Sequence, residues 1–353
     1  MTILKIVAII ILSVVVIFFL FGFALSEKGY KGPKSDHFNG RTFENPSGRY
    51  SNGLPEVFKY LTTRKGEKWT DNYESYIRSE PLPENEPDKI NITFVNHSTF
   101  IIQYENVTIL TDPVWSKRCS PSQLAGPKRM RPPGVNYEAL DQVDIVTISH
   151  NHYDHLDENS IKALIKDFDP TFVVPLGVEH IIHKWGSKKV KSLDWWDEFN
   201  DDEVLITAVP ANHFSSRGAF DRDQTLWAGY VIEVDGHKTY FVGDTGYSDI
   251  FKTIGERIGP MDISLIPIGA YLPRWFMSPI HVSPDEAVLI HQDVKSKQSF
   301  GMHFGTFALA DDGPYTPIRD LDKSLNIQGI ESGKFIVPDE GMNYTFPFGG
   351  ILE

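Results

Sequence analysis

The sequence predicts a mixed α/β domain behind a separate N-terminal segment. Three observations carry that reading. Short, β-branched apolar runs of strand length recur from Ile90 onward. Helix-start signals stand between them. Several of the runs end on an isolated histidine or aspartate, which places polar chemistry at the mouth of a sheet.

The elements follow in order. Ile6 to Leu25 carries no charge and is broken only by Ser13 and Gly22. About twenty helical residues span the hydrocarbon core of a bilayer, so this run is expected to be a single-pass transmembrane helix. Ala24 and Ser26 also make a passable leader-cleavage pattern. The side of the membrane stays open. Lys28, Lys31 and Lys34 lean towards a cytoplasmic body, and a short leader leans the other way. Residues 27–89 read as a polar linker and wrapping extension, with short helices over Val57 to Thr62 and Asn72 to Ile77.

From Ile90 the pattern changes. Ile92–Val95, Phe100–Tyr104 and Val107–Leu110 read as a strand meander. Residues 117–140 are a loop punctuated by Pro and Gly. Val143–Ile148 is a buried strand, and Ser160 opens a helix over Ile161 to Phe168. Val204–Val209 is another strand. Leu226–Val234 and Lys238–Val242 flank Asp235-Gly236, a type I′ hairpin signal. Ser283-Pro284-Asp285-Glu286 is a capping box with Pro at the first helical position, opening a helix to about Gln292.

The chain has 353 residues, 41% hydrophobic and 23% charged, with net charge −13. That composition can bury one domain of roughly 250 residues. The acidic balance excludes a nucleic-acid partner, which needs a basic face. With Cys119 alone, no intramolecular disulfide forms.

The most informative stretch is Ser149-His150-Asn151-His152-Tyr153-Asp154-His155. Four potential metal ligands fall where a strand ends. Imidazole and carboxylate suit zinc, and alternating histidines converge on one ion while an Asp-His pair reaches a second. One loop cannot complete two ions. His213, Asp244 and His303 each follow a strand-like run. They complete a set of His150, His152 and His213 on one ion and Asp154, His155 and His303 on the other, with Asp244 bridging. Taken singly, each is an ordinary turn or buried histidine.

This order of ligands resembles the metallo-β-lactamase superfamily. Outside the ligands, Asn96-His97-Ser98-Thr99-Phe100, Thr111-Asp112-Pro113-Val114-Trp115, Gly126-Pro127-Lys128-Arg129 and Gly305-Thr306-Phe307-Ala308-Leu309 resemble the branch of N-acyl-phosphatidylethanolamine-hydrolysing phospholipase D. The resemblance covers roughly residues 90 to 345. It implies a four-layer αββα sandwich over residues 90–353, two Zn²⁺ ions, and phosphodiester hydrolysis of a phospholipid through metal-bound hydroxide. The products would be phosphatidic acid and N-acylethanolamine. An all-His/Asp site also accepts Mn²⁺ or Fe²⁺.

The resemblance places His281 beside the substrate, as a catalytic residue with Asp244. Asp112 could orient a ligating imidazole, and His97 resembles a position near the metals; structural roles stand as alternatives for both. Tyr271, Trp275, Phe276 and Met277 form an apolar loop suited to acyl chains or to a lipid surface. Lys128, Arg129 and Arg131 are a small basic cluster. His180, His183, His237 and His291 are expected on helix or hairpin surfaces, and Trp195-Trp196 in the core. The expected partner is a phospholipid at a membrane surface, and a homodimer is allowed. Two rival readings remain: a lactonase-like or small phosphodiester hydrolase with a soluble substrate, and a non-catalytic scaffold that binds metal or lipid.

Overall fold

The computed structural model describes residues 2–48, 52–70, 82–84, 86–201 and 203–348. Helix α1 runs over Thr2–Leu25 and α2 over Leu54–Thr63. The expected helix over Asn72 to Ile77 lies outside the described residues. Of the expected transmembrane helix, the helix itself is found but the crossing is not supported. Among the described residues, no helix is long and apolar enough to cross a membrane. The end of α1 instead meets the body: Phe19 stacks on Phe220 at 5.7 Å, and Ser26 Oγ accepts from Phe220 N at 3.0 Å.

Fourteen strands follow, among the described residues. They are β1 (Lys89–Asn96), β2 (Thr99–Gln103), β3 (Thr108–Thr111), β4 (Ile145–Thr147), β5 (Thr171–Pro175), β6 (Val190–Leu193) and β7 (Glu198–Asn200). Then come β8 (Leu205–Val209), β9 (Gly229–Val234), β10 (His237–Phe241), β11 (Ile263–Pro267), β12 (Gln298–Met302), β13 (Phe335–Ile336) and β14 (Asn343–Pro347). They form two seven-stranded sheets, ordered β14-β1-β2-β3-β4-β5-β6 and β13-β12-β11-β10-β9-β8-β7.

Side-chain alternation explains the layering. Ile92, Phe100, Ile102, Ile109, Ile145 and Val173 enter the core between the sheets. Val95, Ile101, Leu110, Val146, Phe172 and Val174 point the other way, into a second core. Strands apolar on both faces need cover on both. Helices α3 (Glu158–Asp167) and α4 (Glu179–Trp185) supply it for the first sheet. Helices α5 (Ile250–Arg257), α7 (Pro284–Asp293) and α8 (Thr316–Gln328) do so for the second, and α6 (Arg274–Met277) is a single turn whose Met277 packs in a small separate cluster with Tyr60, Ala270 and Ala310. The result is helix, sheet, sheet, helix.

Local signals behave as their chemistry dictates. Asp235 and Gly236 have φ of 49° and 79°, as a type I′ turn needs. Ser283 and Glu286 close both arms of the capping box on α7. Helix α3 starts earlier than the sequence suggests, because Asp157 rather than Ser160 is its cap and accepts from Ser160 N. Ile161 and Leu164 of α3 are fully buried, and truncating either to Ala costs about 2–5 kcal/mol.

The polar segment before β1 is tied to the body at many points. Phe38 and Phe43 join the inter-sheet core. Arg64 pairs with Asp311 at 3.0 Å, and Trp69 Nε1 donates to Asp312 O at 3.2 Å.

Candidate metal centre

The site lies where strands end. Parallel strands β3, β4 and β5 leave a crevice past their carboxyl ends, and such crevices are where open α/β sheets place ligands. Strand β4 delivers the loop from His150 to Asp157. That loop turns tightly, with Leu156 N donating to His152 O at 2.8 Å. His150 and His155 are buried, whereas His152, Tyr153 and Asp154 are half-buried.

Two ligand groups result. His150, His152 and His213 form one, with His150 Nε2 at 2.7 Å and His213 Nε2 at 3.3 Å from His152 Nδ1. Asp154, His155 and His303 form the other, with both histidine Nε2 atoms 3.3 Å from Asp154 Oδ2. Asp244 lies between them. Its Oδ2 is 3.2 Å from His155 Nε2, 3.1 Å from His303 Nε2 and 3.8 Å from His213 Nε2. All seven sequence-predicted ligands are thus brought together. His97 joins the second group, Nε2 to Asp154 Oδ2 at 3.0 Å. Both His97 and His303 take left-handed backbone, φ 52° and 59°, and His303 N donates to His97 O at 2.7 Å. Such conformations cost energy in non-glycine residues and cluster at functional sites.

Second partners fix the imidazoles. Asp112 accepts from His155 Nδ1 at 2.6 Å and from Ser149 N at 2.7 Å. Ser149 Oγ donates to Asp112 and accepts from His150 Nδ1 at 2.9 Å. One buried carboxylate therefore orients His155 directly and His150 through a serine. His213 Nδ1 donates to Ile280 O at 2.9 Å, leaving Nε2 free for the cluster. Asn45 grips the backbone of His213 on both sides, at 3.0 Å to its O and 2.8 Å from its N. Ser149 and Asn45 carried no sequence signal. Asn45 lies 168 residues from the ligand it holds, and Ser149 is an ordinary residue beside the motif.

The electrostatics suit a cation. Burial pushes His152 and His213 down to about 3 and His150 well below its usual value, so these imidazoles are neutral. Neutral lone pairs crowded this closely need a shared proton or a positive ion. In the second group burial opposes charge, but Asp244 raises His155 well above its usual value and His303 to about 9. Asp244 is likewise held ionised against burial by His155 and His303. His155 Nε2 and Asp244 Oδ1 are buried without a hydrogen-bond partner. Unpaired donor atoms of these types, all turned inward, fit divalent metal.

His281 is half-buried at the rim, its ring 5.2 Å from His213 and its Nδ1 3.8 Å from Asp244 Oδ2. Of the expected substrate loop, Trp275 is exposed, with Lys59 over its ring at 4.3 Å, and Phe276 stacks on Tyr60 at 4.5 Å. Tyr271 and Met277 turn inward instead, Tyr271 OH bonding Asp320. Of the basic cluster only Lys128 is exposed; Arg129 is half-buried. Arg129 donates to Ser116 O and Val114 O, and Arg131 is buried against Glu340 at 3.0 Å. His237 and His291 are buried, contrary to expectation; His291 Nδ1 bonds Ser299 Oγ at 2.8 Å. His180 and His183 are exposed as expected, and Trp195 is in the core with Trp196 packed against it.

An α/β sandwich with clustered His and Asp at its strand ends defines the class of metal-dependent hydrolases. Comparison with known proteins gives the family. Residues 107–304 match the Beta-lactamase superfamily domain. The chain is 36% identical over 333 residues to N-acyl-phosphatidylethanolamine-hydrolyzing phospholipase D 1 of Caenorhabditis elegans, covering 86% of this chain and 92% of that one. It is 34% identical over 274 residues to the mitochondrial N-acyl-phosphatidylethanolamine-hydrolyzing phospholipase D of Saccharomyces cerevisiae, covering 75% of this chain and 58% of that one. Among solved structures it is similar in fold to Igni18, a metallo hydrolase of Ignicoccus hospitalis, with TM-score 0.56 and 21% identity over 73% of this chain and 98% of that one. The chain belongs to the metallo-β-lactamase superfamily, in the branch of N-acyl-phosphatidylethanolamine-hydrolysing phospholipase D.

Proposed function

We propose that this metal-dependent hydrolase cleaves the head-group phosphodiester of N-acyl-phosphatidylethanolamine-type phospholipids, with two zinc-class ions in the centre. The observation that carries the reading is a full ligand set of competent residues in a chain so similar to the worm phospholipase. Bound divalent metal would supply Lewis acidity towards a phosphoryl oxygen and lower the pKa of water.

The chain's own residues divide the remaining work. His150, His152 and His213 would hold one ion, and Asp154, His155 and His303 the other, with Asp244 shared. Asp112, Ser149 and Asn45 keep the imidazoles aimed. His281 Nδ1, buried and without a hydrogen-bond partner, is the group we assign to substrate contact or proton transfer. Water oxygen bonds to phosphorus, the bond from phosphorus to the N-acylethanolamine oxygen breaks, and that alcohol leaves with a proton. Phosphatidic acid remains.

Presentation of the substrate at a lipid surface is part of the proposal. Exposed Ile9, Leu12, Leu20 and Phe23 on α1, Phe58 and Leu61 on α2, and Trp275 support it, because several large apolar side chains exposed on one element mark contact with lipid or protein. The test incubates the purified, metal-loaded protein with N-acyl-phosphatidylethanolamine in mixed micelles. Release of N-acylethanolamine with phosphatidic acid is expected. Inertness towards the lipid alongside turnover of a lactone would overturn the reading.

A further inference from the structure

Residues 216–221 form a second loop that grips the metal loop from outside, and the proposed reaction does not use it. Arg217 is 7% exposed. Its Nη1 donates to Asn151 O at 3.0 Å and to Leu156 O at 2.9 Å. Those carbonyls bracket the segment bearing His152, Asp154 and His155. The guanidinium lies 3.9 Å over the Tyr153 ring, and Tyr153 OH donates to Arg217 O at 3.1 Å. Ser216 N donates to Asn151 Oδ1 at 2.8 Å. Asn151, Tyr153 and Leu156, the residues interleaved with the ligands, are therefore all held from one side.

The grip is itself anchored. Buried Asp221 accepts from Arg217 N at 3.1 Å, Gly218 N at 2.9 Å and Ser216 Oγ at 3.1 Å. It also accepts from Glu27 N at 2.8 Å, just past the end of α1. Gly218 sits so close to Ser26 that any side chain there would collide with its backbone. A buried cation held by carbonyls and aromatic faces pays a desolvation cost that an apolar side chain would avoid. What the arginine adds is a planar group that stacks on Tyr153 while the two N–H bonds of its one Nη1 nitrogen point in fixed directions at two carbonyls; a lysine ammonium keeps neither the stack nor the fixed directions.

We infer that Arg217 is a positioning residue for the metal loop, with Asp221 as the node that fixes it, and that this brace sets how tightly the loop holds its ions. The inference rests on the reading that the loop binds metal.

The test uses the full chain loaded with zinc and then titrated with a chelator, with no substrate present. Metal retention and the visible spectrum of the cobalt-loaded form are compared for wild type, Arg217→Gln, Arg217→Lys and Asp221→Asn. Arg217→Gln should lose metal at about tenfold lower chelator concentration and shift the cobalt spectrum. Arg217→Lys should fall between it and wild type, and Asp221→Asn should weaken retention in the same direction. Melting of the metal-free protein separates this from mere destabilisation, because a purely structural arginine would lower melting and leave metal retention alone. Where Arg217→Gln does not fold, Arg217→Lys and Asp221→Asn decide. Folded variants with wild-type retention and spectrum would overturn the brace, whereas a wild type that holds no metal would overturn the metal reading instead.

Discussion

His155 Nδ1 donates to Asp112 Oδ2 at 2.6 Å, and neither side chain is exposed to water. The same carboxylate reaches His150 through Ser149, so one aspartate on β3's end orients a histidine in each ligand group. Asp112→Asn keeps the shape but removes the charge that polarises both imidazoles. Metal affinity or activity should fall about 10–100-fold, measured by chelator competition and by lipid turnover. Wild-type values in both would reduce Asp112 to a strand-end residue.

The seven-ligand set predicts two ions per chain. Metal analysis after gentle dialysis should give a stoichiometry near two, and Asp244→Asn should lower it, because Asp244 Oδ2 approaches both groups. A value of one in folded, active protein would sink the dinuclear reading.

His303→Ala should damage turnover far more than folding. His303 follows the end of β12 with its ring among the ligand histidines rather than among the apolar side chains of the sheets, so circular dichroism should be unchanged. Activity should fall at least about a hundredfold, because metal-assisted charge stabilisation supplies several kcal/mol. Retained activity would remove His303 from the ligands.

A long-chain N-acyl-phosphatidylethanolamine should outcompete its water-soluble head-group phosphodiester. Each buried CH₂ contributes about 0.8 kcal/mol, so partial chain contact gives several powers of ten in kcat/KM. Replacing Trp275 and Phe276 with Ser should narrow that gap without changing metal content. Equal turnover of the soluble diester would favour the soluble-substrate rival.

Far from the metals, His37 ties the N-terminal extension to the body. Burial disfavours its charge, yet Asp194 at 2.7 Å and Asp36 at 2.6 Å raise it above its usual 6.5. A raised value gives stability that is complete below about pH 6.5 and lost as pH climbs through the folded value. The melting-temperature loss in His37→Gln should therefore be larger near pH 6 than near pH 9. An equal loss at both would assign His37 a packing role alone, through its stack on Trp195 at 4.3 Å.

What the sequence determined by itself was local or periodic. Alternating apolar runs located the strands, Asp235-Gly236 fixed a turn, Ser283 to Glu286 opened a helix, and strand-end His and Asp announced the metals. Each of these signals is written in neighbouring residues, because strand period, turn handedness and capping depend on the nearest few positions. Tertiary structure decided the rest. It buried His237, His291 and Arg131 where polarity had suggested surface, and it turned Tyr271 and Met277 inward. It set α1 against Phe220. It also chose Asn45 to hold His213 and Arg217 to hold the metal loop. These contacts join segments far apart in the chain. Their energy comes from satisfying buried donors and acceptors once the sheets have packed, and no local pattern records which distant residue will do so.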